Sequence, residues 1–196
     1  MNTYVYKAYG NLYINLTNKC SNNCDFCIRK GHDGIMNQPL WITHEPNAQD
    51  VINALPKDLT PFKYVVFCGF GEPTEKLDIL IEVAKYLKAH GAKTRINTNG
   101  ASDKINNKET APLLKGIIDN INVSLNASNA EKYQAICHSI YGKEAFDIMI
   151  DFAKKCRDEG INVNFSVVDC IGKEEIEKCQ KLCDSINIPL RVRQFE

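Results

Sequence analysis

Three cysteines in one short polar segment are the residues of this chain best suited to chemistry. Cys20, Cys24 and Cys27 are spaced C-x3-C-x2-C and are separated by Ser, Asn, Asp and Phe. Thiolates this close in sequence can converge on one metal centre when the loop wraps around it. An iron–sulfur cluster is usually held by four thiolates, so three would leave one iron open to an amine and a carboxylate. A Cys3His zinc site completed by His32 is the alternative.

Composition places this segment in an ordinary globular chain. The 196 residues are 44% hydrophobic and carry 24 basic and 24 acidic side chains, which favours one domain over residues 1–196. Neutral charge neither supports nor excludes a nucleic-acid partner. The most apolar run, residues 64–70, is too short to cross a bilayer, so we expect a cytoplasmic protein with no membrane partner. Nine cysteines without a secretory signal favour metal ligands or core residues over disulfides.

Alternating strand-like and helix-like segments must position the cysteines. Apolar or β-branched runs predict strands at residues 12–16, 64–68, 94–97, 121–125, 162–168 and 190–194, and a further run at 4–8 predicts a hairpin with the first. Apolar periodicity predicts helices at 47–55, 75–90, 107–117, 130–137, 143–159 and 173–186. This alternation predicts an α/β fold, a partial, open-sided TIM-like barrel of six βα units, because a complete barrel needs about 250 residues. A doubly wound open sheet is the alternative.

Polar motifs follow several of these strands. The second strand is followed by Gly-Phe-Gly-Glu-Pro at residues 69–73, the third by Thr-Asn-Gly at 98–100, and the fourth ends in Ser-Leu-Asn at 124–126. Each motif alone fits an ordinary helix start, turn or cap. The carboxyl ends of parallel strands meet at the edge of the sheet where ligands bind, so we expect these motifs to act together with the cysteines.

These motifs, in this order, resemble the radical SAM superfamily. The cysteine spacing, with Phe26 before the last cysteine, is similar to the cluster motif of that family. Residues 69–73 resemble its Gly-Gly-Glu-Pro motif with Phe70 in place of one glycine, and residues 98–100 resemble its Thr-Asn-Gly turn. More narrowly, residues 12–20, 27–29 and 66–74 resemble the small radical SAM proteins associated with TatD-type nucleases. That resemblance implies a chemistry and no substrate.

The resemblance implies two cofactors, a 4Fe–4S cluster on Cys20, Cys24 and Cys27 and S-adenosylmethionine (SAM) on its open iron. The cluster would cleave SAM to a 5′-deoxyadenosyl radical that abstracts hydrogen from a substrate. Glu72 is expected at the SAM ammonium and Thr98 at its carboxylate. The full set of residues expected to contact SAM is Phe26, Gly69, Gly71, Glu72, Thr98, Asn99, Ser124, Asn126, Val168 and Arg193.

The remaining cysteines and two arginines allow further expectations. Cys68 and Cys170 lie near strand ends and are the candidate reactive thiols, with packing as the alternative. Positions on or beside apolar stripes predict core roles for Cys137, Cys156, Cys179 and Cys183. Arg191 and Arg193 share one face of the last strand, where they would bind an anionic substrate group or the SAM carboxylate, or protect a sheet edge.

An enzyme of this kind implies an electron donor such as a flavodoxin or ferredoxin. The printed sequence ends just after the predicted sixth strand, so we expect the open side to be covered by a large substrate or partner, such as a protein, peptide or nucleic acid. Two alternatives stay open: a non-enzymatic zinc or iron–sulfur module, and a regulatory SAM-binding protein.

Overall fold

A computed structural model describes residues 2–195, which form nine strands and seven α-helices. The strands are β1 (Val5–Ala8), β2 (Asn11–Ile14), β3 (Gly34–Ile35), β4 (Gln38–Pro39), β5 (Val65–Phe67), β6 (Thr94–Thr98), β7 (Asn120–Ser124), β8 (Asn162–Val168) and β9 (Leu190–Arg193). The helices are α1 (Ala48–Ala54), α2 (Leu77–Ala89), α3 (Ser102–Asn106), α4 (Ala111–Leu114), α5 (Ala130–Cys137), α6 (Glu144–Asp158) and α7 (Lys173–Ser185). Short 3-10 turns span Pro73–Lys76 and Asp169–Ile171.

One sheet of seven strands organises the chain in the order β1-β2-β5-β6-β7-β8-β9. β1 is antiparallel to β2, and every other neighbouring pair is parallel. The order follows the sequence without the reversal that defines a doubly wound sheet. The partial TIM-like barrel is therefore confirmed, and the doubly wound alternative is wrong.

The two faces of the sheet differ sharply in polarity. Side chains that alternate along the strands pack with the helices in one apolar core that includes Leu12, Phe67, Ile96, Ile121 and Phe165. The other face, which we call the inner face, is mostly polar and is made by Tyr13, Val66, Cys68, Arg95, Asn97, Asn122, Ser124, Asn164, Ser166, Val168, Arg191 and Arg193. The apolar core thus lies between the sheet and the helices that surround it. The interior of the partial barrel is polar and can receive a ligand.

The predicted helix at residues 107–117 is wrong. Only the single turn of α4 is helical in that segment, since α3 ends before it at Asn106. Asn107 ends α3 because its left-handed conformation, with φ 50°, cannot continue a helix. At the end of α4, the non-helical backbone of Lys115, with ψ 129°, precedes the left-handed Gly116.

The hairpin of β3 and β4 was not predicted. Its two turn residues, Met36 and Asn37, have φ of 48° and 60°, the conformation that a two-residue hairpin turn requires. Met36 is a rare residue there, so the turn lacks a recognisable sequence signal.

Among residues 2–195, no helix has the length and apolar character needed to cross a membrane.

Candidate cluster and cofactor site

The cysteine loop, residues 20–30, docks on the last turn of α5. The backbone amide of Asn23 donates to the Cys137 carbonyl at 2.9 Å, and that of Asp25 donates to the Ile136 carbonyl at 3.0 Å. These two bonds flank Cys24. Three more contacts attach the loop to this region: Asn22 Nδ2 to Tyr133 Oη at 2.9 Å, Ile140 N to Ser21 O at 2.9 Å, and His138 Nε2 to Asp25 Oδ1 at 2.8 Å.

Sequence reasoning missed this role of α5. Two helices, α5 and α6, lie between β7 and β8, whereas one is enough to connect parallel strands. The extra helix covers the carboxyl edge of the sheet and carries Tyr133 and Cys137 against the cysteine loop. The surplus helix was the signal that could have indicated this, since the weak apolar pattern of residues 130–137 gives none.

Arg29 braces the loop from within. Its guanidinium donates to the carbonyl oxygens of Asn18 at 3.3 Å and Asn22 at 3.1 Å, on either side of Cys20. A guanidinium stays charged and has a fixed fork of donors, so it can hold two carbonyls at a set separation. Its charge also favours the thiolates of Cys20 and Cys24. Arg29 thus holds the shape of the cysteine loop.

Cys20, Cys24 and Cys27 lie in one loop as free, partly buried thiols. Within residues 2–195, no three Cys, His, Asp or Glu side chains converge closely enough to hold a single metal ion. Zinc–sulfur bonds of about 2.3 Å would require the thiols to meet at one point, whereas each ligand to a cluster binds a different iron. Three thiolates suit either centre, and the zinc site stays the alternative.

Both resolved thiol shifts in the loop reflect its surroundings. Burial, and next the nearby charge of Glu72, raises the pKa of Cys20 to about 12. A hydrogen bond with the Cys137 thiol, followed by burial, raises the pKa of Cys24. Without iron these two groups keep their protons at neutral pH, and coordination to a metal would remove them.

Glu72 joins two of the strand-end motifs. Its Oε1 accepts from Thr74 N at 3.1 Å, Thr74 Oγ1 at 2.8 Å and Thr98 Oγ1 at 2.8 Å, and its Oε2 accepts from Asn99 N at 2.7 Å. Burial raises the pKa of this carboxyl, and the hydrogen bonds from Asn99, Thr74 and Thr98 oppose that rise. Both oxygens are thus bound by protein groups. The expected contacts of Glu72 and Thr98 with SAM stay predictions.

Gly69 and Gly71 let this turn pack against the chain that leads into the cysteine loop. A Cβ on Gly69 would lie 2.0 Å from Asn15 Oδ1, and one on Gly71 would lie 2.3 Å from the Thr17 carbonyl oxygen. Next to them, the Glu72 amide donates to the Lys19 carbonyl at 2.7 Å. Gly71 is explained by the close approach of two backbone segments, and Gly69 by the Asn15 side chain that lies against it.

Phe70, the residue that departs from the family motif, is an apolar anchor. Its side chain is buried with Tyr6, Ala8 and Leu40, and its ring lies 5.0 Å from that of Trp41. It ties the turn to β1 and to the segment after β4.

We expect the Gly71→Ala substitution to destabilise the protein more than Gly91→Ala. The Gly71 Cβ would strike backbone oxygen that cannot move away cheaply, whereas a Cβ at Gly91, with φ 73°, has open space and incurs only the strain of the left-handed conformation. The latter change costs about 1 kcal/mol. Thermal unfolding of both variants measures the difference, and equal melting temperatures would contradict the packing argument.

Asn99 connects the third motif to the first. Its Nδ2 donates to Ser21 Oγ at 2.9 Å and lies 3.9 Å from Cys20 Sγ, and its own Oδ1 accepts from Ala101 N at 2.9 Å. The turn at residues 98–100 is therefore in contact with the cysteine loop on one side and with Glu72 on the other.

Asn126 presents an acceptor with no partner. It is buried after β7 in a left-handed conformation with φ 59°, and its Nδ2 lies 3.4 Å from Cys137 Sγ. Its Oδ1 is buried without a hydrogen-bond partner in residues 2–195. Buried polar atoms are rarely left so. A ligand hydroxyl or ammonium would satisfy it, as expected of a residue near SAM.

The other expected SAM contacts lie at the same edge of the sheet. Ser124 ends β7, Val168 ends β8, and Arg193 pairs in register with Val168. Phe26 lies in the cysteine loop and is partly buried. The structure brings these residues to one edge, and their contacts with SAM stay predictions.

The two candidate reactive thiols occupy different places. Cys68 follows β5 on the inner face, where burial raises its pKa against the opposing hydrogen bond from Asn97 and the charge of Arg193. Cys170 is exposed in the turn after β8. Only Cys68 thus lies where an inner-face ligand would meet it, and a catalytic role for either stays a prediction.

Cys156, Cys179 and Cys183 are fully buried in the apolar core, as predicted.

The residues present fit both groups that the resemblance implies. Three thiols share one loop beside a guanidinium, and the strand-end motifs surround that loop with the unpartnered Asn126 oxygen. A thiolate donor set suits iron–sulfur clusters, and backbone and amide groups suit an amino acid moiety.

Sequence comparisons extend these observations to known proteins. The profile of the Radical SAM superfamily matches residues 14–186. A probable GTP 3′,8-cyclase of Thermococcus kodakarensis is 31% identical over 166 residues, which are 85% of this chain and 50% of that protein. A probable GTP 3′,8-cyclase of Methanocaldococcus jannaschii is 29% identical over 191 residues, which are 94% of this chain and 58% of that protein. The chain thus spans about half the length of these relatives.

Solved structures share the fold. Streptococcus suis SuiB bound to S-adenosylmethionine has a TM-score of 0.68 at 20% identity and covers 94% of this chain and 38% of its own. TYW1 with a lysine-pyruvate adduct bound has a TM-score of 0.65 at 16% identity, over 95% of this chain and 65% of its own. The narrower resemblance to TatD-associated proteins stays a prediction. The superfamily profile covers most of the chain, from the end of β2 to the end of α7, and the chain belongs to the radical SAM superfamily.

Proposed function

We propose that this chain carries the catalytic core of a radical SAM enzyme, which cleaves SAM reductively and abstracts hydrogen from a substrate with the 5′-deoxyadenosyl radical. Members of the superfamily use a 4Fe–4S cluster and SAM. When bound, the cluster supplies the electron for cleavage. The observation that carries the proposal is that the motif at residues 98–100 is hydrogen-bonded to the cysteine loop and to Glu72, whose amide bonds to Lys19 just before that loop.

The chain's own residues would hold and orient the cofactors. Cys20, Cys24 and Cys27 would bind the cluster, and Arg29 would keep their loop in shape. Glu72 would hold the turns at 69–73 and 98–100 in fixed relation, so that their backbone groups meet the amino acid part of SAM. Asn126 Oδ1 would accept a hydrogen bond from SAM. Rigid positioning of this kind is the protein's contribution to cofactor chemistry.

The proposed enzyme needs an electron donor, such as a flavodoxin or ferredoxin, to reduce its cluster. It is also proposed to work in the cytoplasm. Reduced clusters and free thiols persist in reducing compartments.

The test is an assay of SAM cleavage under anaerobic conditions. The purified protein is reconstituted with iron and sulfide, reduced, and given SAM, and 5′-deoxyadenosine is measured. Formation of the nucleoside only after reconstitution is the expected result. A zinc-loaded protein that ignores SAM would favour the metal-module alternative, and SAM binding without cleavage under any reductant or substrate tried would favour the regulatory one.

The inner face supports an anionic small molecule as substrate. The seven strands of the sheet contain no Asp or Glu but place Arg95, Arg191 and Arg193 on this face. Arg95 and Arg191 both act electrostatically on Tyr13, and Arg193 acts on Cys68, across the barrel from β9. Among residues 2–195, no ion pair involves these three arginines.

Unpaired arginines on a polar interior favour a phosphate or carboxylate. Arg95 lies over the Tyr64 ring at 3.9 Å, and its buried Nε has no hydrogen-bond partner within residues 2–195. The two relatives named as probable GTP 3′,8-cyclases make a purine nucleotide the first ligand to test. A pair of charges that protects the sheet edge is the alternative, since Arg191 and Arg193 are exposed on β9, the last strand of the sheet. A protein or nucleic-acid substrate is the alternative.

We expect GTP to bind the reconstituted, SAM-loaded protein at least about tenfold more tightly than guanosine, since a hydrogen bond to a charged group contributes about 1.5–3 kcal/mol. The double substitution Arg191→Gln and Arg193→Gln should remove that preference. Arg157→Gln is the matched control, because Arg157 pairs with Asp158 on the outer helix α6. Isothermal titration calorimetry measures the affinity for GTP and for guanosine in the wild type and in each variant. Binding of pyrophosphate without GTP would exclude the nucleotide and keep the anion, and binding of neither would contradict the anionic substrate.

A further inference from the structure

Five asparagines lie on three neighbouring strands of the sheet, although asparagine is disfavoured in strands. Asn97 lies on β6, Asn120 and Asn122 lie on β7, and Asn162 and Asn164 lie on β8. Asparagine is depleted in strands, and its side chain competes with the backbone for hydrogen bonds. Residues that oppose the preference of their own element are expected where function requires them. None of the five belongs to the motifs around the cysteine loop, so the cluster and SAM site does not account for them.

Two of the five serve the fold. Asn120 Nδ2 donates to the Asn162 carbonyl at 3.3 Å, and Asn162 Nδ2 donates to the Asp119 carbonyl at 3.2 Å. Both residues begin their strands, at the edge of the sheet opposite the motifs. Their amides thus bind the backbone of neighbouring segments, and three asparagines are left to explain.

The other three form a row across the inner face, which we call the amide row. Asn97 pairs in register with Asn122, and Asn122 pairs with Asn164. Neighbouring strands lie about 4.8 Å apart, so the three carboxamides extend over two strand spacings. Asn122 is 7% exposed, whereas Asn97 and Asn164 are half-buried. The two outer amides of the row are therefore accessible from the interior of the barrel.

Hydrogen bonds orient the amide row. Asn164 Nδ2 donates to Asn122 Oδ1 at 2.5 Å and to the Phe165 carbonyl at 3.4 Å, and Asn122 Nδ2 donates to Ser166 Oγ at 3.1 Å. Both N–H groups of Asn164 are thus used, while its Oδ1 has no partner among the described hydrogen bonds of residues 2–195. A carboxamide oxygen can accept two hydrogen bonds. The row therefore fixes an acceptor that a donor on a ligand can use.

Arg95 adds donors beside the amide row. It lies on the same face of β6, two residues before Asn97, and pairs in register with Val66, which pairs with Tyr13. Its buried Nε has no hydrogen-bond partner within residues 2–195, and a guanidinium contains donors only. Tyr13 is half-buried and offers an aromatic surface to the same interior. A ligand that fits here has acceptors for Arg95 and a flat ring that can lie against Tyr13.

An uncharged heterocycle meets these requirements better than an anion does. A carboxamide has one acceptor oxygen and one donor NH2 group, which match the mixed donors and acceptors along the edge of a nucleobase. Anions are bound more strongly by charged donors. Arg191 and Arg193 supply those nearer the carboxyl edge, since they pair with residues two and four positions beyond Asn164 on β8.

We propose that the amide row and Arg95 recognise the base of a nucleotide substrate, whose phosphates lie at Arg191 and Arg193. The inference rests on the nucleotide substrate of the proposed function and adds the groups that select the base. Phosphate contacts are common to all nucleotides, whereas contacts with the edge of a base discriminate among them.

The test compares GTP, ATP, CTP and UTP, which share ribose and phosphates and differ in the base. Isothermal titration calorimetry with the reconstituted, SAM-loaded wild type should show one of them bound at least about tenfold more tightly than the weakest. Asn97→Ala and Asn164→Ala should each reduce that preference about fivefold and leave the affinity for inorganic triphosphate unchanged. Asn162→Ala is the matched control on β8 and should keep the preference.

Equal affinity of the wild type for the four nucleotides would overturn the proposal, and so would alanine variants that keep the wild-type preference. A fall in triphosphate affinity as large as the fall for the preferred nucleotide would also overturn it, because the amide row would then support the fold. If an alanine variant does not fold, Asn97→Ser and Asn164→Ser keep a polar group and should lose the same preference. A serine hydroxyl cannot present a separate donor and acceptor to a base edge, so an unchanged preference would contradict the proposal.

Failure of this proposal can be distinguished from failure of the proposed function. A protein that binds none of the four nucleotides would overturn the base site, and the assay of 5′-deoxyadenosine would still decide whether SAM is cleaved. A protein that shows the expected base preference but does not cleave SAM would sink the proposed function and leave the base site standing.

Discussion

Replacing Cys20, Cys24 or Cys27 singly by alanine is expected to abolish reductive cleavage of SAM. A cluster held by three thiolates has no spare ligand, so two thiols should not retain it. We expect iron content and 5′-deoxyadenosine formation to fall by more than about 100-fold, the upper range for changes outside the ligand set. Iron and sulfide analysis and the cleavage assay measure this.

Buried cysteines elsewhere provide the controls. Cys156→Ala and Cys179→Ala remove thiols that are fully buried in the apolar core, at the cost of a small cavity. Both variants should retain the cluster and cleave SAM. If the control variants lost the cluster as completely as the ligand variants, the iron content would report misfolding and not the loss of a cluster ligand.

Cys24 has a neighbour that makes its variant informative. Cys137 lies beside Cys24 and could take its place at the iron when the ligand is removed. Residual cluster in Cys24→Ala that disappears in the double variant with Cys137→Ala would show such a substitution. Cys20→Ala has no comparable thiol beside it in the described hydrogen bonds, so its loss should be complete.

Much of the fold could be predicted because local patterns and tertiary structure agree. The strand of residues 162–168 has the predicted bounds, and helix α5 begins and ends where its pattern indicated. The sheet then had to be parallel, because helices separate the strands. The edge on which the polar motifs would meet followed from the same argument.

What could not be predicted depends on contacts between distant segments. From its motif, Glu72 was expected to contact SAM. In the structure its carboxylate accepts hydrogen bonds from Thr98 and Asn99, which are 26 and 27 positions away in the sequence. Cys137 was assigned to the core and is fully buried there, but nothing in the sequence indicated that its carbonyl accepts the amide of Asn23 in the cysteine loop. Periodicity reports which face of an element is apolar and contains no information on which loop will cover it.

The site residues illustrate a second limit. A glycine in a ligand-binding motif can serve the ligand or the fold, and the sequence of residues 69–72 does not distinguish these roles. A Cβ at Gly71 would meet the Thr17 backbone, so the fold alone requires this glycine, whereas a Cβ at Gly69 would meet the Asn15 side chain. The glycines of the motif therefore serve packing first, and any contact with a ligand is made by the backbone groups of the motif.

Replacing Glu72 by alanine is expected to lower the free energy of unfolding by roughly 3–5 kcal/mol. The change leaves the Asn99 amide, the Thr74 amide and the Thr98 hydroxyl without their acceptor in a buried place, and each such group costs about 1–3 kcal/mol. Loss of the side-chain volume adds a cavity cost. Chemical unfolding followed by circular dichroism measures the difference.

Two further variants separate the hydrogen bonds from the charge. Glu72→Gln keeps one oxygen acceptor but turns an NH2 group toward at least one donor, so its loss of stability should be smaller than that of alanine. Glu75→Ala is the matched control, because Glu75 lies in the adjacent 3-10 turn and is less buried. If Glu72→Ala were as stable as Glu75→Ala, the carboxylate would not hold the two turns together. The fixed relation of the turns to the cysteine loop would then need another cause.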